Sequence, residues 1–172
     1  MSRKQIMVLR HAKAEADSPR GDFGRNLSPT GREQAGQIGK ELLSLKLLPQ
    51  VIISSTAKRA KQTAERVCDE LAIDSTHIQL KEDLYEATHD AWVEQCHRLN
   101  NRLNRVLLVG HNPALEDLVD YLSKADFESD QGNGKRMMPA TLIVLEFEGD
   151  WMQLAEHSCA VTRRLHGKLL TD

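Results

Sequence analysis

Ile6-Met7-Val8-Leu9-Arg10-His11 is the stretch of sequence that decides the fold. Its four apolar residues form a short, branched and continuous run, which is typical of a strand buried on both faces. The later runs 51–53 and 106–109 have the same character. Because helical patterns separate these runs, we predict an α/β fold: a three-layer α/β/α sandwich around a mostly parallel sheet.

Apolar residues that recur on one face predict the helices. Ser28 and Pro29 open the first one, since serine caps free backbone amides and proline suits the first helical position. A second helix is predicted from about Ala57. A third is predicted on the stripe Trp92, Cys96, Leu99 and Leu103, and a fourth after Asn112-Pro113.

The last third of the chain has a weaker pattern. Residues 131–135, Gln-Gly-Asn-Gly-Lys, predict a flexible loop. Thr141–Phe147 and Trp151–His157 flank a Glu-Gly-Asp turn and predict a hairpin. A short strand is also predicted from His77 to Leu80, whereas the segment 159–172 has no pattern that we can assign.

Composition limits the function classes. The 172 residues are 40% hydrophobic and 28% charged, which excludes a disordered chain and predicts a single domain over 1–172. A net charge of −2 gives no field that would attract nucleic acid or a membrane, and 4% aromatic residues argue against stacking of bases. The three cysteines, with no C-x-x-C, and the absence of a long apolar run predict a cytoplasmic protein, which we expect to be a monomer.

Polar side chains directly follow the three buried runs. Arg10 and His11 follow the first, Arg59 lies just beyond the second, and His111 follows the third. In open α/β sheets, ligands bind at the carboxyl ends of the strands, so we expect these side chains to converge. Each residue alone is weak evidence for a functional site, because a single histidine or arginine at such a position is more often structural or solvated. The four together indicate a phosphate site.

Phosphate chemistry suits these residue types. Guanidinium groups match phosphate oxygens in a bidentate manner. A neutral imidazole can attack phosphorus, and a second, protonated imidazole can neutralise the equatorial oxygens. We expect no metal and no cofactor, because the cations already supply charge stabilisation.

Four segments resemble the signature of the histidine phosphatase superfamily, which includes the cofactor-dependent phosphoglycerate mutases. Leu9-Arg10-His11-Ala12 resembles L-R-H-G, with alanine in place of the glycine. The others are 27–35 (L-S-P-T-G-R-E-Q-A), 54–64 (S-S-T-A-K-R-A-K-Q-T-A) and 109–113 (V-G-H-N-P). The short chain, the run Arg-His-Ala-Lys-Ala-Glu at 10–15 and Met-Pro-Ala-Thr at 138–141 look most like the SixA-type phosphohistidine phosphatases.

The resemblance implies a phosphoglycerate mutase-like fold and a role for each site residue. His11 would be the nucleophile that is transiently phosphorylated, and Arg10, Arg59 and His111 would form the rest of the phosphate pocket. Glu86, in Leu-Tyr-Glu at 84–86, is the candidate proton donor; the alternative is a solvated loop carboxylate.

The resulting prediction is a metal-independent phosphatase that removes phosphate from phosphohistidine on a protein partner in signal transduction. The alternatives are a phosphatase of small phosphate monoesters and a non-catalytic module that binds phosphoproteins. Only 82–91 separates the third strand from the following helix, without the long insertion of phosphoglycerate mutases. We therefore expect an uncovered pocket, suited to a phosphate on a protein surface.

Overall fold

A six-stranded mixed sheet forms the centre of the protein in a computed structural model that describes residues 2–125 and 137–167. The strands are β1 (Arg3–Arg10), β2 (Val51–Ser55), β3 (Ile78–Lys81), β4 (Arg105–Gly110), β5 (Thr141–Glu148) and β6 (Ala160–His166). Their order is β3-β2-β4-β1-β5-β6. The first four strands run parallel, and β5 and β6 add an antiparallel edge.

Four helices cover the two faces of this sheet. They are α1 (Pro29–Ser44), α2 (Lys58–Leu71), α3 (His89–His97) and α4 (Ala114–Leu122). Side chains of α1 and α2 pack with Met7 and Leu9 in one buried cluster. Side chains of α3 and α4 pack with Ile6 and Val8 in the other. Successive residues of a strand face opposite sides, so β1 contributes to both clusters and the predicted three-layer α/β/α sandwich is confirmed.

Local sequence explains the elements nearest the sheet edge. The four apolar residues Ile6–Leu9 are all fully buried, as expected for a central strand. Ser28 caps α1, because its side chain accepts a hydrogen bond from Gly31 N at 3.0 Å, and Pro29 takes the first position. α1 therefore begins where the sequence predicts it.

The third predicted helix is too long by nearly two turns. α3 ends at His97, so Leu99 and Leu103 lie beyond it, although both still pack against the core. The Asn100 side chain accepts a hydrogen bond from Arg102 N at 2.9 Å. Asparagine competes with helix formation in this way, which accounts for a turn within an apolar stripe that continues.

The predicted hairpin is wrong in its second strand. Trp151–Gln153 is a turn of 3₁₀-helix, and Trp151 is held by a hydrogen bond from its Nε1 to Leu103 O at 2.8 Å. The strand that pairs with β5 is β6, in the segment to which the sequence assigned no pattern. The predicted loop at 131–135 lies outside the described residues. Within the described ranges, no helix combines the length and the apolar character needed to cross a bilayer.

Candidate active site

The carboxyl ends of β1 and β4 bring the two predicted histidines together. Arg10 and Gly110 are partners in the parallel ladder, so His11 and His111 leave the sheet side by side. His11 N donates to Gly110 O at 3.0 Å, and the two imidazole centroids lie 5.2 Å apart. The topology of adjacent parallel strands thus pairs two residues that are a hundred positions apart in the sequence.

Arg59 joins the histidines from the first turn of α2, after β2. Its Nε lies 3.3 Å from His11 Nε2. Thr63, one turn further along α2, donates to Arg59 O at 2.6 Å and accepts from Ala12 N at 3.0 Å. A single hydroxyl therefore fixes the helix that carries Arg59 against the backbone that follows His11.

The hydrogen bonds of His11 assign its tautomer. Nδ1 lies 2.8 Å from Ala12 O, and a carbonyl oxygen can only accept, so Nδ1 carries the proton. Nε2 then has its lone pair free, and it accepts from Arg59. Burial is the main reason that the pKa of His11 falls to about 3, so the ring is neutral at physiological pH. A neutral imidazole with an unprotonated Nε2 is a competent nucleophile.

His111 has one nitrogen bound by protein and one without a partner. Its Nε2 lies 2.8 Å from Ser55 Oγ, which also accepts from Ala57 N at 3.2 Å. The hydrogen of this buried hydroxyl has no other acceptor among the described residues, so Ser55 donates to His111 Nε2, which places the ring proton on Nδ1. That Nδ1 is buried and has no acceptor among the described residues. Burial, followed by the charge of Arg59, lowers the pKa of His111 to about 4.

Arg10 is also incompletely paired. Its Nη1 donates to Met137 O at 2.9 Å, but its buried Nε has no acceptor in the described part of the chain. Burial lowers the pKa of this guanidinium. A buried donor without an acceptor costs roughly 1–3 kcal/mol, so Arg10 Nε and His111 Nδ1 together indicate a place for an anion. Over residues 2–125 and 137–167, no group of three or more His, Cys, Asp or Glu side chains is arranged to hold a metal ion.

Two residues at this site were not predicted. Asp22 accepts from both outer nitrogens of Arg59: Nη1 donates to its carbonyl oxygen at 2.8 Å and Nη2 to its Oδ2 at 3.0 Å. The Tyr85 hydroxyl donates to the same Oδ2. The Tyr85 ring also lies below the Arg59 guanidinium, 5.8 Å from its carbon, and contacts His111 edge-on. Each nitrogen of Arg59 therefore makes one hydrogen bond within the protein, and one hydrogen on each outer nitrogen remains for a ligand.

The predicted site residues are largely buried. His11, His111 and Arg59 are only 7%, 8% and 6% exposed. The segment 12–28, which joins β1 to α1, contacts the site through Asp22, which accepts hydrogen bonds from Arg59. Gln62 of α2 holds the end of this segment by accepting from Leu27 N at 2.8 Å. The expectation of an uncovered pocket stays a prediction.

Comparison with known proteins agrees with this geometry. A sequence profile of the histidine phosphatase superfamily, branch 1, matches residues 6–98. The chain belongs to the histidine phosphatase superfamily. This membership supports phosphatase activity.

Three similar proteins cover nearly the whole chain. The structure of a candidate phosphohistidine phosphatase SixA from Nakamurella multipartitia has a TM-score of 0.81 at 26% identity, covering 96% of this chain and 97% of that one. Another from Agrobacterium tumefaciens has a TM-score of 0.77 at 25% identity, covering 94% and 97%. An uncharacterized protein of Mycobacterium tuberculosis is 28% identical over 161 residues, or 92% of this chain and 98% of that protein. The fold is therefore SixA-like.

Several residues of the histidine phosphatase signature hold the backbone around His11 in place. A Cβ at Gly31 would lie 1.9 Å from Lys13 O, so only glycine lets α1 approach the segment after His11. Gln34, one turn along α1, accepts from Lys13 N at 3.0 Å. Ala140 N donates to Arg10 O and His11 O at 3.2 and 3.1 Å. These contacts hold the backbone around His11 from three directions.

Glu86 is the one predicted site residue that does not contact the other four. Its side chain is exposed, and among the described residues it makes no hydrogen bond or ion pair with Arg10, His11, Arg59 or His111. The preceding residue, Tyr85, is the one that points into the site. The Leu-Tyr-Glu motif at 84–86 therefore lies beside the site and contacts it through Tyr85. A proton-donor role for Glu86 remains a prediction.

Proposed function

We propose that this protein is a metal-independent phosphatase that transfers the phosphoryl group from phosphohistidine on a protein to His11 Nε2 and then to water. The observation that carries this proposal is the tautomer of His11: its Nδ1–H donates to Ala12 O at 2.8 Å and leaves Nε2 as the nucleophile. Arg59 contacts that nitrogen, and with Arg10 it supplies the positive charge that a phosphoryl group needs, while His111, whose ring packs against His11, supplies a neutral N–H donor.

In the first step, the Nε2 lone pair of His11 attacks phosphorus and the bond to the leaving group breaks. The leaving group departs with the electron pair of that bond, on the side of phosphorus opposite His11. Arg59 releases Nε2 and donates to a phosphoryl oxygen instead. Arg10 Nε and His111 Nδ1, both unpaired in this structure, are the donors for the remaining oxygens.

In the second step, a water molecule attacks the phosphorus of phospho-His11. The P–Nε2 bond breaks, its electron pair returns to Nε2, and the water gives up one proton to solvent or to the departing phosphate. Ala12 O keeps its hydrogen bond from Nδ1–H throughout, so His11 regains its starting tautomer. The chain therefore supplies positioning and charge in both steps and is unchanged at the end.

The carboxylates at the site favour phosphohistidine over an alkyl phosphate as substrate. An alkoxide leaving group needs a proton from an enzyme acid, whereas a protonated phosphoimidazole already has a good leaving group. The carboxylate in contact with Arg59 is Asp22, and the hydrogen bond from Tyr85, together with Arg59, holds its pKa below the ordinary value. An ionised carboxylate cannot donate a proton, and Glu86 is not in contact with the cluster. The site therefore suits a substrate that requires no acid.

Turnover in the presence of EDTA tests the proposal. Wild-type protein is incubated with a phosphohistidine peptide, and both phosphate release and an acid-labile phosphoenzyme are measured. His11→Ala should abolish both signals. His77→Ala is the matched control, because it removes an exposed histidine at the amino end of β3, whereas the site lies at the carboxyl ends of the strands, and it should retain full activity.

Each alternative function predicts a different result. Faster turnover of phenyl phosphate than of the peptide would identify a phosphatase of small monoesters. Phosphate binding without turnover or phosphoenzyme would identify a binding module. A requirement for added metal would contradict the mechanism as stated.

A further inference from the structure

Asp22 is an acidic side chain that contacts the cationic cluster directly, through its ion pair with Arg59. The Arg59 guanidinium contacts His11 through Nε and Asp22 through its two outer nitrogens, so one rigid plane holds both partners. His11 is 7% exposed, whereas the Asp22 side chain is 55% exposed. Asp22 therefore stands on the solvent side of the position that a phosphoryl group held by Arg59 would take.

This placement determines which part of a substrate meets Asp22. In an in-line displacement the nucleophile and the leaving group lie on opposite sides of phosphorus. Because His11 attacks from the buried side, the leaving group must lie on the solvent side, where Asp22 is. A carboxylate there interacts with the leaving group as well as with Arg59.

We propose that Asp22 determines leaving-group specificity: it accepts a hydrogen bond from a protonated phosphoimidazole and disfavours anionic leaving groups that carry no donor. This inference rests on the proposed function and names the residue that selects its substrate class. Asp22 also competes with phosphate for Arg59, since both anions bind the same guanidinium.

The protons and electrons balance without any transfer from Asp22. A phosphoimidazole that is protonated on its second nitrogen bears a positive charge, and its N–H can donate to the carboxylate. When His11 Nε2 bonds to phosphorus, the P–N bond breaks and its electron pair remains on the leaving nitrogen. The product is neutral imidazole, which keeps its N–H. Asp22 favours the reactive, protonated form of the substrate and stays ionised.

The contacts of Asp22 leave room for this hydrogen bond. Oδ2 accepts from Arg59 and Tyr85, while Oδ1 lies 3.2 Å from Arg25 Nε. A carboxylate oxygen can accept about two hydrogen bonds, so Oδ1 has one position left. Tyr85 and Arg25 hold the carboxylate in place, and its exposed edge faces solvent.

Phosphate binding tests the competition for Arg59. Calorimetric titration with inorganic phosphate should show about fivefold tighter binding by Asp22→Asn, because the variant removes a negative charge beside the bound anion. Asp17→Asn is the matched control: it makes the same charge change at an exposed position of the same segment and should bind like the wild type. Unchanged or weaker binding by Asp22→Asn would overturn the proposal.

Relative turnover tests the specificity. Asp22→Asn should lower kcat/KM for a phosphohistidine peptide and raise it for phenyl phosphate, so that the ratio of the two falls by about tenfold. Tyr85→Phe keeps the charge and the ring but removes the hydroxyl that orients the carboxylate, and it should lower the ratio by a smaller factor. A ratio that is unchanged or higher in Asp22→Asn would overturn the proposal.

A binding measurement separates this proposal from the proposed function. The affinity for phosphoimidazole divided by the affinity for phenyl phosphate measures the preference between the two compounds without turnover. This ratio is compared between the wild type and Asp22→Asn. If the wild type hydrolyses neither compound, the proposed function fails. The Asp22 proposal then stands if Asp22→Asn loses the preference for phosphoimidazole and falls if the preference is kept.

Discussion

The two ends of β1 each bury positive charge, but they differ in whether the hydrogen-bond donors of the buried groups have acceptors. Lys4, at the amino end, is fully buried, and its Nζ donates to Asn101 O, Leu103 O and Asn104 Oδ1 at 2.6, 3.2 and 3.0 Å. The ammonium also lies 5.6 Å from the centre of the Trp151 ring. An ammonium has three hydrogens, so its donors are all satisfied.

The carboxyl end of the same strand leaves donors unsatisfied. Arg10 Nε and His111 Nδ1 are buried without an acceptor among the described residues, and Arg59 is paired only with a half-exposed aspartate and with His11. A buried cation whose donors all have acceptors stabilises the fold. A cluster with unpaired donors is fully stabilised only when a ligand supplies the acceptors. The comparison therefore separates a structural site from a binding site by counting donors and acceptors.

The largest expected effect concerns Arg59. Arg59→Met should lower kcat/KM for a phosphohistidine peptide by about a thousandfold, because it removes charge stabilisation at the transferring group. Its free energy of unfolding should change by less than about 1 kcal/mol, since like-charged neighbours are relieved while the ion pair with Asp22 is lost. Steady-state kinetics and urea unfolding measure the two quantities.

Arg66→Met is the control for this variant, because Arg66 lies on the same helix and pairs with Glu70 away from the sheet edge. It should retain the wild-type kcat/KM. Turnover by Arg59→Met within tenfold of the wild type would contradict the assignment of the cluster as the phosphate site.

Substitution of Lys4 should lower stability and leave activity unchanged, the reverse of the effect expected at Arg59. Lys4→Met should lower the free energy of unfolding by about 2 kcal/mol, because three acceptors lose their donor at once. The kcat of the folded protein should stay unchanged, since Lys4 lies at the far end of the strand. Lys40→Met, at an exposed position of α1, is the control and should leave stability unchanged. A loss of activity without loss of stability in Lys4→Met would break the comparison.

The sequence predicts the carboxyl end of β1 better than the amino end. Parallel strands carry continuous apolar runs, so the side chains that follow them could be located and expected to converge. Arg10, His11, Arg59 and His111 come together for that reason. Lys4, by contrast, reads as a solvated charge, because its acceptors are about a hundred positions away in the sequence.

The features that were missed lack periodicity. Asp22 begins a single 3₁₀ turn in the connection between β1 and α1, and its partner Arg59 is 37 positions further along the chain. β6 is an edge strand whose residues are mostly exposed or half-buried, so it has no apolar pattern to predict it. Trp151 was placed in a strand because it is apolar and follows a turn, although its burial comes from a 3₁₀ turn.

The buried histidines should make stability depend on pH. The folded pKa values of His11 and His111 are about 3 and about 4, whereas both titrate near 6.5 when unfolded. Between pH 6.5 and 4 the unfolded chain binds more protons, so stability is complete above this window and is lost as the pH falls through it. Each histidine contributes a slope of about 1.4 kcal/mol per pH unit near pH 5.

His111→Gln tests this dependence. It should reduce the slope of unfolding free energy against pH by about 1 kcal/mol per unit, measured by urea unfolding between pH 4.5 and 6. His77→Gln, at an exposed histidine, should leave the slope unchanged. An equal slope in His111→Gln and wild type would show that His111 titrates normally in the folded protein, which would contradict its neutral state.

Ser55 should give the smallest effect, because it supports the site through His111 and through the backbone of Ala57 before α2. Ser55→Ala removes the oxygen that lies 2.8 Å from His111 Nε2 and should lower kcat/KM by about fivefold, the value of one net hydrogen bond. Ser54→Ala is a close control: Ser54 is equally buried and donates to Ser55 O at 2.9 Å, but it does not contact His111. If the two variants lose activity equally, the loss reflects packing in β2, and His111 needs no support from Ser55. If only Ser55→Ala loses activity, the proton on His111 Nδ1 is held in place by a serine that itself touches no substrate.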